Sequence, residues 1–202
     1  MGLLRSRSLP MALLALLTCG HFLLLAHYVR PAYASPDADG YYSQARLIFQ
    51  EGRLTFRPAS PAQHLGMHWL EKPDGSFISR YPAGLPVLIG AVWTAAGRDA
   101  SLYVNAIFAA LTLPALYLLA APYVGPWGAL AAAVVQAANP IANFHAVFAD
   151  SHTAASFFLI LGWLLLDRSR RLSCKWLGMA GGSRSPSSPP SVTPRLLPPS
   201  EL

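Results

Sequence analysis

Apolar residues along this chain come in blocks separated by polar stretches. Residues 9–29 carry no Asp, Glu, Lys or Arg, and a helix of that length crosses a hydrocarbon core of ~30 Å. Residues 103–121 form a second such block, interrupted by Pro114. Residues 125–139 are shorter and alanine-rich, a composition that lets helices approach closely in lipid. Residues 151–167 are apolar again and run into Asp167-Arg168-Ser169-Arg170-Arg171. A fifth apolar stretch, 84–97, falls short of the roughly 17 residues a spanning helix needs, so it is expected to lie along the membrane surface. The pattern predicts an all-α membrane protein with about four transmembrane helices, a juxtamembrane surface helix and a long loop over 30–97.

The intervening segments are of a different kind. Residues 31–82 are rich in Pro, Gly, Arg, Asp and aromatics, and loops this long in compact proteins usually carry function. Within it, Tyr42, Ala45, Arg46 and Phe49 stand at helical spacing and predict a short amphipathic helix over 41–50. Lys72-Pro73-Asp74-Gly75-Ser76 is a turn signal between two short extended pieces. From residue 172 a Ser/Pro/Arg-rich tail begins, a composition that cannot bury a core and is expected to be disordered.

Basic clusters set the orientation. Arg5 and Arg7 precede the first block, and Arg168, Arg170 and Arg171 follow the last. Positive residues near span ends favour the cytoplasm. Four spans put both clusters on that side, with residues 1–8 as a cytoplasmic N-terminus. Five would separate them. Four spans also bring 30–97 and 140–151 to one outer face, so that Asp37, Asp39 and Asp150 can converge. Ala32-Tyr33-Ala34 has the look of a signal-peptidase site, but the apolar run before it exceeds the roughly 7–15 residues of a signal core. It is read as a retained anchor.

Composition agrees with the blocks. Of 202 residues, 53% are hydrophobic and 12% charged, against about a quarter charged in soluble domains. The net charge of +6 does not indicate nucleic acid, because the basic residues sit in loops and tail with no basic helix face. Cys19 lies in an apolar run and Cys174 in a basic segment, so both are read as free thiols.

Candidate chemistry lies in the outer stretches. Asp37 and Asp39 stand just beyond the first span, where a carboxylate can act as general base or hold a divalent cation. The competing reading is a turn ahead of a helix with Asp37 or Asp39 as its cap. Asp150, flanked by His145 and His152, opens an apolar helix. It reads either as a helix cap or as an ionisable group marking a site near membrane depth. His64 and His68 would form a metal pair only on a helix and with a third ligand. Arg46, Arg53, Arg57, Lys72 and Arg80 make the loop positive and suit an anionic headgroup or phosphate, or simply snorkel at the interface.

Taken in order, these features resemble a known family. Asp37-Ala38-Asp39-Gly40-Tyr41 leads to Ala45-Arg46, then come Tyr81-Pro82-Ala83-Gly84, two spans, and Ala149-Asp150-Ser151-His152 opening the last. The order is similar to that of the GT-C membrane glycosyltransferases, of the protein mannosyltransferase and aminoarabinose transferase kind, over about residues 9–167. Ala38 stands where members often carry Glu. The resemblance implies a transferase in the cell (inner) membrane that takes a sugar from a polyprenyl-phosphate donor to an acceptor on the outer face. Asp37 and Asp150 would be catalytic. Asp39, Tyr41, Arg46, Lys72, Arg80, Tyr81 and His152 would bind substrate, and some members use a divalent cation. Members are usually longer, so the chain reads as the N-terminal part of such an enzyme, inactive by itself, with an unrelated ending after Asp167. The alternative is a non-catalytic multi-span protein acting through helix packing.

Overall fold

The computed structural model describes residues 2–31, 35–60 and 66–172, with side chains from Ser8 onward. His64, Cys174, the Ala32–Ala34 tripeptide and the tail beyond Leu172 lie outside the described residues. Within them the chain is mostly helical: α1 (Gly2–Tyr28), α2 (Pro36–Gln50), α3 (Gly84–Ala96), α4 (Arg98–Ser101), α5 (Val104–Ala137), α6 (Pro140–Ala146) and α7 (Ser151–Leu172). Three short strands, β1 (Thr55–Phe56), β2 (Trp69–Glu71) and β3 (Phe77–Ser79), form an antiparallel sheet in the order β1-β3-β2.

Helix α2 starts five residues before the amphipathic spacing does. Ser35 supplies the cap, its Oγ accepting from the Ala38 amide at 3.1 Å, and Pro36 follows at the first helical position. Its fixed φ is already helical there, and its missing N–H is no loss. Asp37 and Asp39 are therefore not the cap. They fall in the first turn, where their charge favours the positive end of the helix dipole. The expected turn at residues 72–76 joins β2 to β3. Asp74 holds it by accepting from the Ser76 amide and hydroxyl, and Gly75 takes the positive φ of 73° that the turn requires.

Helix α5 is broken at Gly125, whose φ of 74° and ψ of 171° leave the helical region. Pro126 disfavours a helical residue before it, and glycine accepts the positive φ at no steric cost. The break folds the chain back on itself. Leu113 and Tyr117 before it share one apolar cluster with Ala129, Leu130 and Ala133 beyond it, closed by Leu14 of α1. Ala109 and Gln136 line a common cavity, yet on a straight helix they would stand about 40 Å apart.

Two ends of the helical body are thereby defined. At one, Tyr123 beside the Gly125 turn donates to Asp167 of α7 at 2.5 Å, and the Arg171 guanidinium lies 4.8 Å over its ring. At the other, the Arg30 amide donates to Val147 O at 2.8 Å, and Leu25 packs with Ala106 and Ala146. The segment 35–101 sits at this second end. Tyr42 of α2 donates to Arg98 O at 2.7 Å, and Ile89 of α3 is buried with Tyr41, Tyr42 and Val104.

Helices of this length and apolarity mark a membrane protein. Ser8–Tyr28 and Val104–Ala137 are each long and apolar enough to cross a bilayer. A third crossing exists if Pro140–Ala146 and Ser151–Arg171, bent by 112°, count as one span. Leu16 and Leu23 of α1, Val135 of α5 and Leu159 of α7 are each more than half exposed, an arrangement costly in water and natural against lipid tails.

Candidate active site at the α2–α7 cleft

The fold brings Asp37 and Asp150 to one cleft of about 1050 Å3. Tyr41, Tyr81, Ser151 and His152 line it as well, and Leu88, Ala154 and Phe158 supply apolar wall. The two carboxylates are held differently. Asp37 is exposed in the first turn of α2. Asp150 is 8% exposed and both its oxygens are engaged: Oδ2 accepts from His145 Nδ1 at 2.6 Å, and Oδ1 accepts from the His152 amide at 3.2 Å. Asp150 is thus the cap of α7 and a cleft carboxylate at once, which joins the two readings that its sequence position left open.

Asn105 fixes the approach to Asp150. It is 2% exposed near the start of α5, and its Nδ2 donates to Phe148 O at 2.6 Å and to Asp150 O at 2.7 Å. These two bonds hold the sharp bend between α6 and α7. A polar residue just inside an apolar block was the available sequence signal.

Tyr41 lines the cleft together with both carboxylates. Burial pushes its hydroxyl above the ordinary value of 10.0, a hydrogen bond with Ser151 opposes this, and the charges of Asp37 and Asp150 add to the rise. Tyr41 therefore remains a neutral hydroxyl donor at physiological pH. Its ring packs against Tyr81 at 5.5 Å and edge-on to His68 at 5.1 Å.

His68 packs inside the fold. It is 2% exposed, its Nε2 meets Ser79 Oγ at 2.9 Å, and burial lowers its pKa below 6.5. Its ring occupies the space that a Cβ at Gly40 would need. The glycine inside Asp39-Gly40-Tyr41 is thus required for the close approach of the His68 ring, one residue before β2, to α2.

The basic candidates do not line the cleft. Arg46 pairs with Glu51 at 3.4 Å, and Lys72 lies 3.8 Å from Asp74 on the β2–β3 turn. Arg80 donates to Met67 O at 3.2 Å and sits 5.8 Å from the centre of the Tyr81 ring, one residue removed from the cleft wall. Asp39 is exposed and outside the lining, though its charge reaches His68. Among the described residues no cluster of three or more His, Cys, Asp or Glu side chains could hold a metal ion.

Chemically, the cleft offers an open carboxylate, a restrained one, a neutral phenol and an apolar wall. Set against protein-family models, curated proteins and solved structures, the chain matches none. The case for its function therefore rests on the cleft itself.

Proposed function

We propose that the chain is a membrane glycosyltransferase of the GT-C kind, acting on a polyprenyl-phosphate sugar at the outer face of the cell membrane, and that, against the expectation drawn from the resemblance, its cleft suffices for transfer. The observation that carries this reading is the meeting of Asp37 and Asp150, far apart in sequence, on one cleft that is polar at its carboxylates and apolar along α3 and α7. The apolar wall suits a prenyl chain, and the acidic side suits a sugar and its acceptor.

Four crossings are proposed: α1, the two arms of α5 on either side of Gly125, and α7, with α3 along the surface. Arg5 and Arg7 open α1, and Arg168, Arg170 and Arg171 close α7. With these at the cytoplasmic side, the cleft faces outward.

In the proposed reaction Asp37 takes the proton of the acceptor hydroxyl or amine as that atom bonds to the anomeric carbon. The bond from that carbon to the phosphate oxygen breaks, and polyprenyl phosphate leaves with its electron pair. Asp37 fits the base because its oxygens are free to receive a proton. Asp150, tied to His145 and to the α7 amide, orients the substrate instead. Tyr41 donates to a sugar or phosphate oxygen, and Arg80 beside Tyr81 supplies a cation for the leaving phosphate. The alternative of a packing protein finds less support, because Ala129 and Ala133 are fully buried within the chain's own helices.

The test is release of polyprenyl phosphate from a panel of polyprenyl-phosphate hexoses and pentoses by the chain in nanodiscs. Release that Asp37→Asn abolishes supports the reading. Release at equal rate from Asp37→Asn, or none with any donor, contradicts it.

A further inference from the structure

A second cavity of about 470 Å3 opens on the other side of His152. Its polar lining includes His21 of α1, Gln136 of α5, Asn143 and His145 of α6, and His152 and Thr153 of α7, together with a further amide and two further hydroxyls. No Asp, Glu, Lys or Arg belongs to this lining. Two of its side chains are more than nine-tenths buried with an unsatisfied atom. His21 is 6% exposed and Thr153 is 8% exposed, and neither His21 Nδ1 nor Thr153 Oγ1 has a partner among the described residues. Buried polar atoms are nearly always paired, so unpaired ones beside a cavity mark where a bound group completes the set.

The existing bonds define what that group must offer. Asn143 Nδ2 donates to Ala137 O at 2.8 Å, which turns its Oδ1 toward His21 Nε2 at 2.9 Å. His21 therefore donates from Nε2, and on the uncharged ring Nδ1 is left as an acceptor. His145 donates from Nδ1 to Asp150, which leaves its Nε2 as a second ring nitrogen for a bound group. The set is thus ring nitrogens, amides and hydroxyls. It matches hydroxyl groups, which donate and accept. It provides no fixed cation for a phosphate, whose burial without one is costly.

We infer that this cavity binds an uncharged, hydroxyl-bearing headgroup. Leu159 and Ile160 of α7 and Ile141 of α6 form its apolar wall, where a lipid or alkyl tail attached to that headgroup would lie. The inference stands apart from the transfer reading, since it uses neither Asp37 nor a reaction.

The experiment uses the chain in phosphatidylcholine nanodiscs and a photoactivatable diazirine derivative of octyl glucoside, with labelled peptides mapped by mass spectrometry. Label is expected within residues 136–145, which line this cavity and not the Asp37 cleft. It should be displaced by octyl glucoside and not by octyl phosphate. Free glucose displacing as well as octyl glucoside also supports the site, and assigns the hydroxyls to a soluble sugar rather than a lipid. Thr153→Val should weaken displacement about tenfold, the effect of one hydrogen bond, while Asp37→Asn should leave it unchanged. The wild-type competition series needs no variant to fold. Equal displacement by octyl phosphate, or label confined to residues lining the Asp37 cleft, would overturn the inference.

Discussion

The cleft at Asp37 and the cavity at His21 share His152 and are otherwise built from different materials. The cleft lies between α2, α3 and the start of α7, and its chemistry comes from carboxylates and a phenol. The cavity lies among α1, α5, α6 and α7, and its chemistry comes from imidazoles, amides and hydroxyls. The difference follows from where each sits. Charge is tolerated in the cleft because Asp37 is exposed and Asp150 is fully hydrogen-bonded. Within the helical body a charge would have to be buried, and neutral polar groups take its place. Asp150 and His145 are the hinge between the two sites, one lining each and bonded at 2.6 Å.

Substitutions can separate the two sites. The largest effect is expected from Asp37→Asn, which should lower sugar transfer about 100-fold or more, the usual worth of a general base, and leave the His21 cavity untouched. Asn105→Leu comes next. It strands the Phe148 and Asp150 carbonyls at a cost of about 1–3 kcal/mol, so it should lower the thermal midpoint and impair both sites together. Gly40→Ala should cost a similar or smaller amount, about 1–3 kcal/mol for overpacking, because the new methyl meets the His68 ring. Its damage should stay in the cleft, seen as faster hydrogen exchange in α2 with α5 and α7 unchanged. Tyr42→Phe, which releases α2 from Arg98 O, should cost about 1 kcal/mol by the same readout.

The smallest effect is a pH dependence of the cleft alone. Burial depresses the His68 pKa below 6.5, so the unfolded chain takes up a proton that the folded chain refuses. The stabilisation is complete above pH 6.5 and is lost as pH falls toward and through the folded value. Proteolysis of the segment holding α2 and the sheet should therefore accelerate below pH 6.5, while the α1–α5 body does not respond. In His68→Leu that slope should vanish.

Much of the helical body is legible in the chain because lipid solvation demands long uncharged blocks, and α1, α5 and α7 coincide with them. Less legible was how each block ends. The spacing of Tyr42, Ala45, Arg46 and Phe49 shows a helix, but its true start depends on Ser35-Pro36, a cap and a first-turn proline that carry no periodicity. Asp37 and Asp150 stand out as acids at the edges of apolar runs. What holds Asp150 does not, because the His145 and Asn105 contacts depend on the 112° bend between α6 and α7, a tertiary feature. Arg46 and Lys72 are the converse case. Charge type and loop position make them candidate ligands, while each stands beside a carboxylate, Glu51 or Asp74, and outside the cleft lining. The His21 cavity was hidden for the same reason as Asn105: its residues come from four helices, and each alone reads as a stray polar group in an apolar block.

The central claim is that Asp37 and Asp150 open on the same side of the membrane. It is tested most directly by labelling with a membrane-impermeant maleimide in sealed cells, on a background with Cys19 and Cys174 replaced by serine. Asp37→Cys and Ser151→Cys should both label from outside, and Ser169→Cys only after the membrane is opened. Labelling of Asp37→Cys and Ser151→Cys from opposite sides would contradict the account.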